Sequence, residues 1–212
     1  MSRTGGTLTR RRLLLEAIRQ FGENGFENTS LAAVAGGAGV RKQTLLYYFP
    51  TKDALLDECV AETSSRVADE LSSALDAESS TSKKAETVIR TLFRLAEEWP
   101  EFPQFVRQAS RLDPEIIERF ASNLEPLRLR ALAFLAQGMN ARQIRRQDPA
   151  LLLFTLYTAV VGSITEAGVL RAVVGEDESR TALRAREQEV LSFVRHALSP
   201  GETRAPRRRR AG

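Results

Sequence analysis

The sequence predicts an all-α fold, and three observations carry that prediction. Apolar residues recur at i, i+3, i+4 and i+7 in one segment after another. Sustained period-2 alternation, the mark of a half-buried strand, is absent. Proline, glycine and capping residues divide the chain at intervals of helix length. The expected layout is three short N-terminal helices with a larger helical bundle behind them.

The elements follow in order. Leu14, Ala17, Ile18 and Phe21 form one face of a first helix, with Thr9 as N-cap and Gly22 and Gly25 at its end. Ser30 caps a second, short helix from Leu31 to Gly37. The turn "GAGV" leads into a third, Lys42 to Tyr48, stopped by Pro50. Thr51 caps a fourth, long helix with Leu55, Cys59, Val67, Leu71 and Ala74 on one face. The polar run "DAESSTSKK" breaks the pattern. A fifth helix runs from Lys83 to Trp99, and "WPEFP" ends it. A sixth spans Gln104 to Arg111. A seventh opens at Asp113-Pro114 and reaches Gln137, with a kink or restart expected at Pro126. An eighth opens at Asp148-Pro149 and runs to Val173, and a ninth covers Thr181 to Leu198.

Composition narrows the function classes. The chain is 42% hydrophobic and 27% charged, enough for a real core and a solvated surface. Cys59 is the only cysteine, so no disulfide scaffold can form, and a cytoplasmic location fits. The longest apolar run, Ala150 to Thr165, has 16 residues. A membrane span needs about 20, so a buried helix is expected and no membrane partner. His196 is the only histidine. The chain offers no metal-ligand set, no base for a nucleophile and no phosphate loop, so neither enzymatic activity nor a cofactor or metal is expected. Charge is uneven: residues 1–50 hold 7 cations against 3 acids, and residues 51–200 hold 19 against 23. A basic front end on an acidic body suits an anionic partner.

The second and third helices form a helix-turn-helix. Leu31, Val34 and Ala35 face inward, Ala38 and Gly39 allow close approach, and Val40 fills the corner. Leu45 and Phe49, at i and i+4, anchor the third helix. Arg41, Lys42, Gln43, Thr44 and Tyr47 then turn outward, with no acidic residue among them. Cations suit phosphate or guanine, glutamine suits adenine, and hydroxyls suit phosphate oxygens. The same face would also suit an ordinary solvated hairpin, and the residue types alone leave both readings open.

Residues 17–56, "AIRQFGENGFENTSLAAVAGGAGVRKQTLLYYFPTKDALL", resemble the DNA-binding domain of the TetR family of bacterial transcriptional regulators. Ala17, Phe21, Gly25 and Phe26 match its first helix and turn. Thr29-Ser30 match the capped start of its second helix, and Val34-Ala35 and Ala38-Gly39-Val40 its turn. Thr44-Leu45, Tyr48-Phe49, Lys52 and Leu55 match its recognition helix and the start of helix four. Three positions depart from the pattern. Arg41 stands where the family has a small capping residue, Leu46 where it has a phosphate-contacting tyrosine, and Gly36-Gly37 where it has a polar pair.

The resemblance implies a DNA-binding transcriptional regulator, a ligand-responsive repressor that binds a palindromic operator as a homodimer. Residues 1–7 would be a flexible arm and 8–68 the helix-turn-helix domain, with its motif at 30–49. Residues 69–199 would bind ligand and dimerise, and 200–212 would be a disordered basic tail. Arg10, Arg11, Ser30, Arg41, Lys42, Gln43, Thr44, Tyr47 and Lys52 would meet double-stranded DNA. An unknown, largely apolar small-molecule effector would sit among Phe93, Trp99, Phe102, Phe105, Phe134, Phe154 and Tyr157. The dimer surface, usually the last two helices in the family, would use Leu156, Val160, Gly162, Ser163 and Ala167 of the eighth helix, apolar on nearly every side, with Leu191 and Val194 of the ninth. The rival reading is a DNA-binding protein of the same fold with no small-molecule effector, controlled by a protein partner.

Overall fold

The computed structural model describes residues 3–77, 80–109, 114–175 and 179–200, without the side chains of 3, 4, 81, 82, 167 and 174. The basic tail from 201 onward lies outside the described residues. Every described element is helical: α1 (Arg3–Asn24), α2 (Leu31–Gly37), α3 (Lys42–Tyr48), α4 (Lys52–Ala77), α5 (Thr81–Glu98), α6 (Glu101–Ala109), α7 (Pro114–Asn123), α8 (Glu125–Asn140), α9 (Pro149–Thr165), α10 (Ala167–Val174) and α11 (Arg180–Leu198).

Several boundaries obey their predicted caps. Ser30 Oγ accepts the Ala33 N–H at 3.0 Å, and Asp148 Oδ1 accepts from Ala150 and Leu151 at 2.8 and 2.9 Å. Gly25, at φ +80°, closes α1 in the left-handed conformation that favours glycine.

Three expectations can be set against the structure, the first and third of them as corrections. First, α1 begins at Arg3, so residues 3–7 are helix and not an arm. Thr9 is not an N-cap: its hydroxyl donates backward to the Gly5 carbonyl at 3.0 Å, inside the helix. Second, the restart expected at Pro126 is found: the seventh predicted helix is two, α7 and α8, parted at Leu124 (φ −94°, ψ 0°). Pro126 has no N–H with which to continue the ladder. Third, the eighth predicted helix is broken at Glu166 (φ −97°, ψ 45°) into α9 and α10. Arg186 of α11 donates to the Ser163 carbonyl at 2.9 Å, satisfying the end of α9 with a buried cation.

Two apolar clusters hold the chain together. The first joins Leu13, Leu14, Ile18 and Phe21 of α1 with Val34, Leu45, Phe49, Leu55, Cys59, Val60 and Leu71, and continues into Leu95, Trp99, Phe102 and Phe105. It therefore runs through the helix-turn-helix and along α4 into α5 and α6. The second gathers Ile89, Phe93, Leu135, Met139, Leu152, Val160, Ile164, Leu191, Val194 and Leu198.

The most extensive helix pairing is α1 on α6. Gly22 lets the two backbones sit close, since a Cβ there would lie 3.1 Å from the Phe105 nitrogen and 3.3 Å from the Glu101 carbonyl oxygen. Gly22 does not terminate α1; it admits α6. Ion pairs then brace the bundle, with Arg195 gripping Glu86 in a two-pronged pair at 2.9 and 3.0 Å and Arg90 meeting Glu187 at 2.8 Å.

Candidate nucleic-acid interface

Three helices position the surface. The buried Thr29 hydroxyl bonds the Gln20 and Gly25 carbonyl oxygens at 3.1 and 2.8 Å, tying the end of α1 to the start of α2. Val34 and Ala35 are buried, so α2 lies with its other side to solvent. After α2 the chain turns at Gly39, whose φ of +67° suits glycine. The Val40 N–H reaches the Ala35 carbonyl at 2.9 Å, and α3 leaves the turn with Arg41 extended at its N-cap.

The rotation of α3 is fixed from within. Leu45 is 0% exposed and Phe49 1%. Arg41, Lys42, Gln43 and Tyr47 are exposed, and Thr44 is half-buried. Tyr47 is 82% exposed, an unusual state for so large an aromatic. The Tyr47 ring meets the half-buried Tyr48 edge-on at 5.1 Å between centroids. Ser30 is exposed at the head of α2, its oxygen accepting from Ala33 while its proton remains to be donated. Ser30, Arg41, Lys42, Gln43, Thr44 and Tyr47 thus belong to the two short helices and the turn between them.

The other three predicted contacts are placed differently. Arg10 pairs with Glu58 of α4 at 2.5 Å and lies over the Phe49 ring at 5.3 Å, joining α1, α4 and the end of α3 while it remains half-exposed. Lys52 donates to the Glu27 carbonyl at 3.3 Å and sits 4.3 Å from the Phe26 ring centroid. Both cations already have partners within the protein. Arg11 is exposed, but it borders a shallow polar groove of α1 and α4 with Glu62, Ser65, Asp69 and Glu70.

Two further α1 residues organise the turn: Arg12, which the resemblance also offers to the DNA backbone or minor groove, and Glu16, to which the sequence assigned no role. The Arg12 guanidinium donates to the Ala38 carbonyl and stands 3.0 Å from where a Cβ of Gly39 would be. It clamps the turn, which therefore needs glycine twice over. Glu16 receives hydrogen bonds from Arg19 and Gln20, and Gln20 also donates to the Ala33 carbonyl at 3.1 Å. Hydrogen bonding from Arg19 holds the Glu16 carboxyl below its ordinary range, against the opposing effect of burial. The Ala38 and Ala33 carbonyls lie beyond α1, so no local spacing rule reveals those two contacts, whereas Glu16 meets Arg19 and Gln20 at ordinary i,i+3 and i,i+4 spacing within α1.

In the body, the seven aromatics do not line one cavity. Trp99, Phe102 and Phe105 belong to the first cluster, with Trp99 stacked on Phe102 at 5.6 Å. Phe93 is buried in the second cluster, with Phe134 packed against it. Phe154 and Tyr157 are 63% and 53% exposed. Aromatic residues were simply too useful as core for their type to mark a pocket. A cleft of about 280 Å³ does open between α6 and α9, lined by Val106, Arg107, Tyr157, Thr158, Val161 and Glu166 among others.

The residues expected at a dimer surface are placed unevenly in the single chain. Leu191, Val194 and Val160 are buried in the second cluster, while Leu156, Gly162 and Ser163 are half-buried; the Ala167 side chain lies outside the described set. The exposed apolar residues of α9 and α11 are instead Leu151, Phe154, Tyr157 and Phe193. Helix α9 is apolar on nearly every side, yet only Leu152, Val160 and Ile164 of it are buried in the single chain.

Cys59 is buried, and burial pushes its thiol pKa up, which opposes thiolate reactivity. Among the described residues no acidic, cysteine and histidine cluster could hold a metal ion, and no helix is long and apolar enough to cross a membrane.

Residues 13–59 match a family model described as bacterial regulatory proteins, tetR family. Similar solved structures include a TetR family transcription regulator from Marinobacter aquaeolei VT8, at 21% identity and TM-score 0.70, covering 90% of this chain and 97% of that one. The ketosteroid transcriptional regulator KstR2 of Mycobacterium tuberculosis matches at 18% and 0.71, over 90% and 94% of the two chains. The transcriptional regulator FadR of Bacillus subtilis, in complex with stearoyl-CoA, matches at 17% and 0.71, over 89% and 98%. No curated protein sequence matches the chain. The resemblance read from residues 17–56 is borne out by the match over residues 13–59, and so is the all-α class: the described residues take the fold of these TetR family structures.

Proposed function

We propose that this TetR-type chain is a ligand-responsive transcriptional repressor that binds a palindromic operator as a homodimer in the cytoplasm. The observation that carries the reading is the rotation of α3. Leu45 and Phe49 are buried, so Lys42, Gln43 and Tyr47 are turned to solvent together, beside Arg41 and Thr44 and without an acid. Those groups can engage phosphates and base edges in a major groove. Residues 8–68 would supply the DNA-binding part, with Arg10, Arg12 and Lys52 holding it in shape.

Residues 69–199 would dimerise and sense ligand. Leu151, Phe154, Tyr157 and Phe193 form the apolar surface a second copy would cover, and a twofold pair would read half-sites about 34–36 Å apart. FadR holds stearoyl-CoA and KstR2 is named for ketosteroids, so a largely apolar effector suits this fold. The cleft between α6 and α9 is the place for it, because α6 also carries the contact with α1. An effector that favours one placement of α6 would thereby change the spacing of the two α3 helices.

Footprinting on DNA upstream of the gene tests the reading. Protection of a near-palindrome, weakening steeply with added salt, is the expected outcome. No protection at low salt would reject it. A second reading keeps the DNA-binding part but replaces the effector with a protein partner. The scattering of the seven aromatics favours it, and a thermal-shift screen decides, since any effector that binds the folded state raises Tm.

A further inference from the structure

Leu46 is the one outward residue of α3 to which no contact has been given. It is 37% exposed. The rotation of α3 leaves it no choice. Leu45 and Phe49 fill the core, and the Phe49 N–H donates to the Leu45 carbonyl at 2.8 Å. Each helical residue advances roughly 100°, so Leu46 projects about a quarter turn from Leu45. Lys42 lies one turn before it on the same side, with Gln43 adjoining, and both are exposed. Any duplex that meets Lys42 and Gln43 therefore meets Leu46.

A leucine cannot donate to a phosphate oxygen or pair with a base edge. Set against the polar edges of guanine, cytosine or adenine, it would strip water from them and return no hydrogen bond. The major groove presents one apolar group, the 5-methyl of thymine. We propose that Leu46 packs on a thymine 5-methyl group in the operator and makes that position thymine-specific. The proposal rests on the DNA-binding reading above. It turns the departure from the tyrosine pattern into a change of task, from phosphate anchoring to base selection.

The test uses the full chain and a duplex selected from a random pool. Each thymine of the selected duplex is replaced in turn by deoxyuridine, which removes only the methyl group. At least one replacement should weaken wild-type binding about fourfold, the worth of one buried methyl. The same replacement should leave Leu46→Ala unaffected, while Leu46→Ala, which changes both subunits, loses about the square of that factor, roughly sixteenfold, on the thymine duplex. The variant should fold, since Leu46 lies outside the buried core. If every replacement is silent for the wild type, or costs Leu46→Ala just as much, the proposal is overturned while DNA binding stands. If no duplex is enriched at low salt, the DNA-binding reading falls and takes the proposal with it.

Discussion

Gly36 and Gly37 adjoin in α2 and answer different demands. A Cβ on Gly37 would lie 2.0 Å from Glu16 Oε1, whereas a Cβ on Gly36 meets nothing within 4 Å. Each glycine costs α2 about 1 kcal/mol in helix propensity relative to alanine. Gly36→Ala should recover most of that. Gly37→Ala should recover less, because the Glu16 carboxylate must swing away from Gln20. Urea titration of both variants checks the difference. The folded Glu16 carboxyl is held below its unfolded range, so its bonds stabilise at neutral pH and are lost as pH falls through that lowered pKa. Gly37→Ala should therefore also flatten the acid limb of the stability profile. If Gly37→Ala gains as much as Gly36→Ala at every pH, the close approach is of no consequence.

The helices differ in how far local chemistry defines them, and Arg186 shows where it stops doing so. Its guanidinium is buried and reaches back 23 residues to the Ser163 carbonyl at the broken end of α9. Arg186→Met should cost about 1.5–3 kcal/mol, the range for a hydrogen bond to a charged group. An unchanged denaturation midpoint would show that Glu166 alone sets the break. Nothing near Glu166 in sequence announces that break. By contrast, α2, its turn and α3 were legible residue by residue, because Ser30, Gly39, Leu45 and Phe49 act within a few positions of themselves. Pro126 likewise gave notice of the joint between α7 and α8. The outward set on α3 was legible for the same reason. The roles of Arg10 and Lys52 were not: their partners lie 48 and 25 residues away, and an unpartnered cation near a helix-turn-helix reads as a phosphate contact. The body aromatics failed on different grounds, since burial and pocket lining recruit the same residue types.

At the scale of the molecule, exposure separates two kinds of apolar residue on α9 and α11. Phe154→Asp with Phe193→Asp should leave a folded chain that sediments as a monomer. Leu191→Asp should fail to fold instead, since it would leave an unpaired charge in the second cluster. Sedimentation and circular dichroism together separate the outcomes, and a doubly substituted chain that still dimerises would place the interface elsewhere.

The seating of α1 against α6 also bears on anyone who would graft one regulator's reading head onto another's sensor. A cut after residue 68 falls inside α4 and strips Trp99, Phe102 and Phe105 from the cluster that α1 completes. The natural seam is therefore not a linker but a surface. A chimera that takes the 101–105 stretch and Gly22 from the same parent keeps that seating, whereas a side chain at position 22 would require the facing backbone to give way.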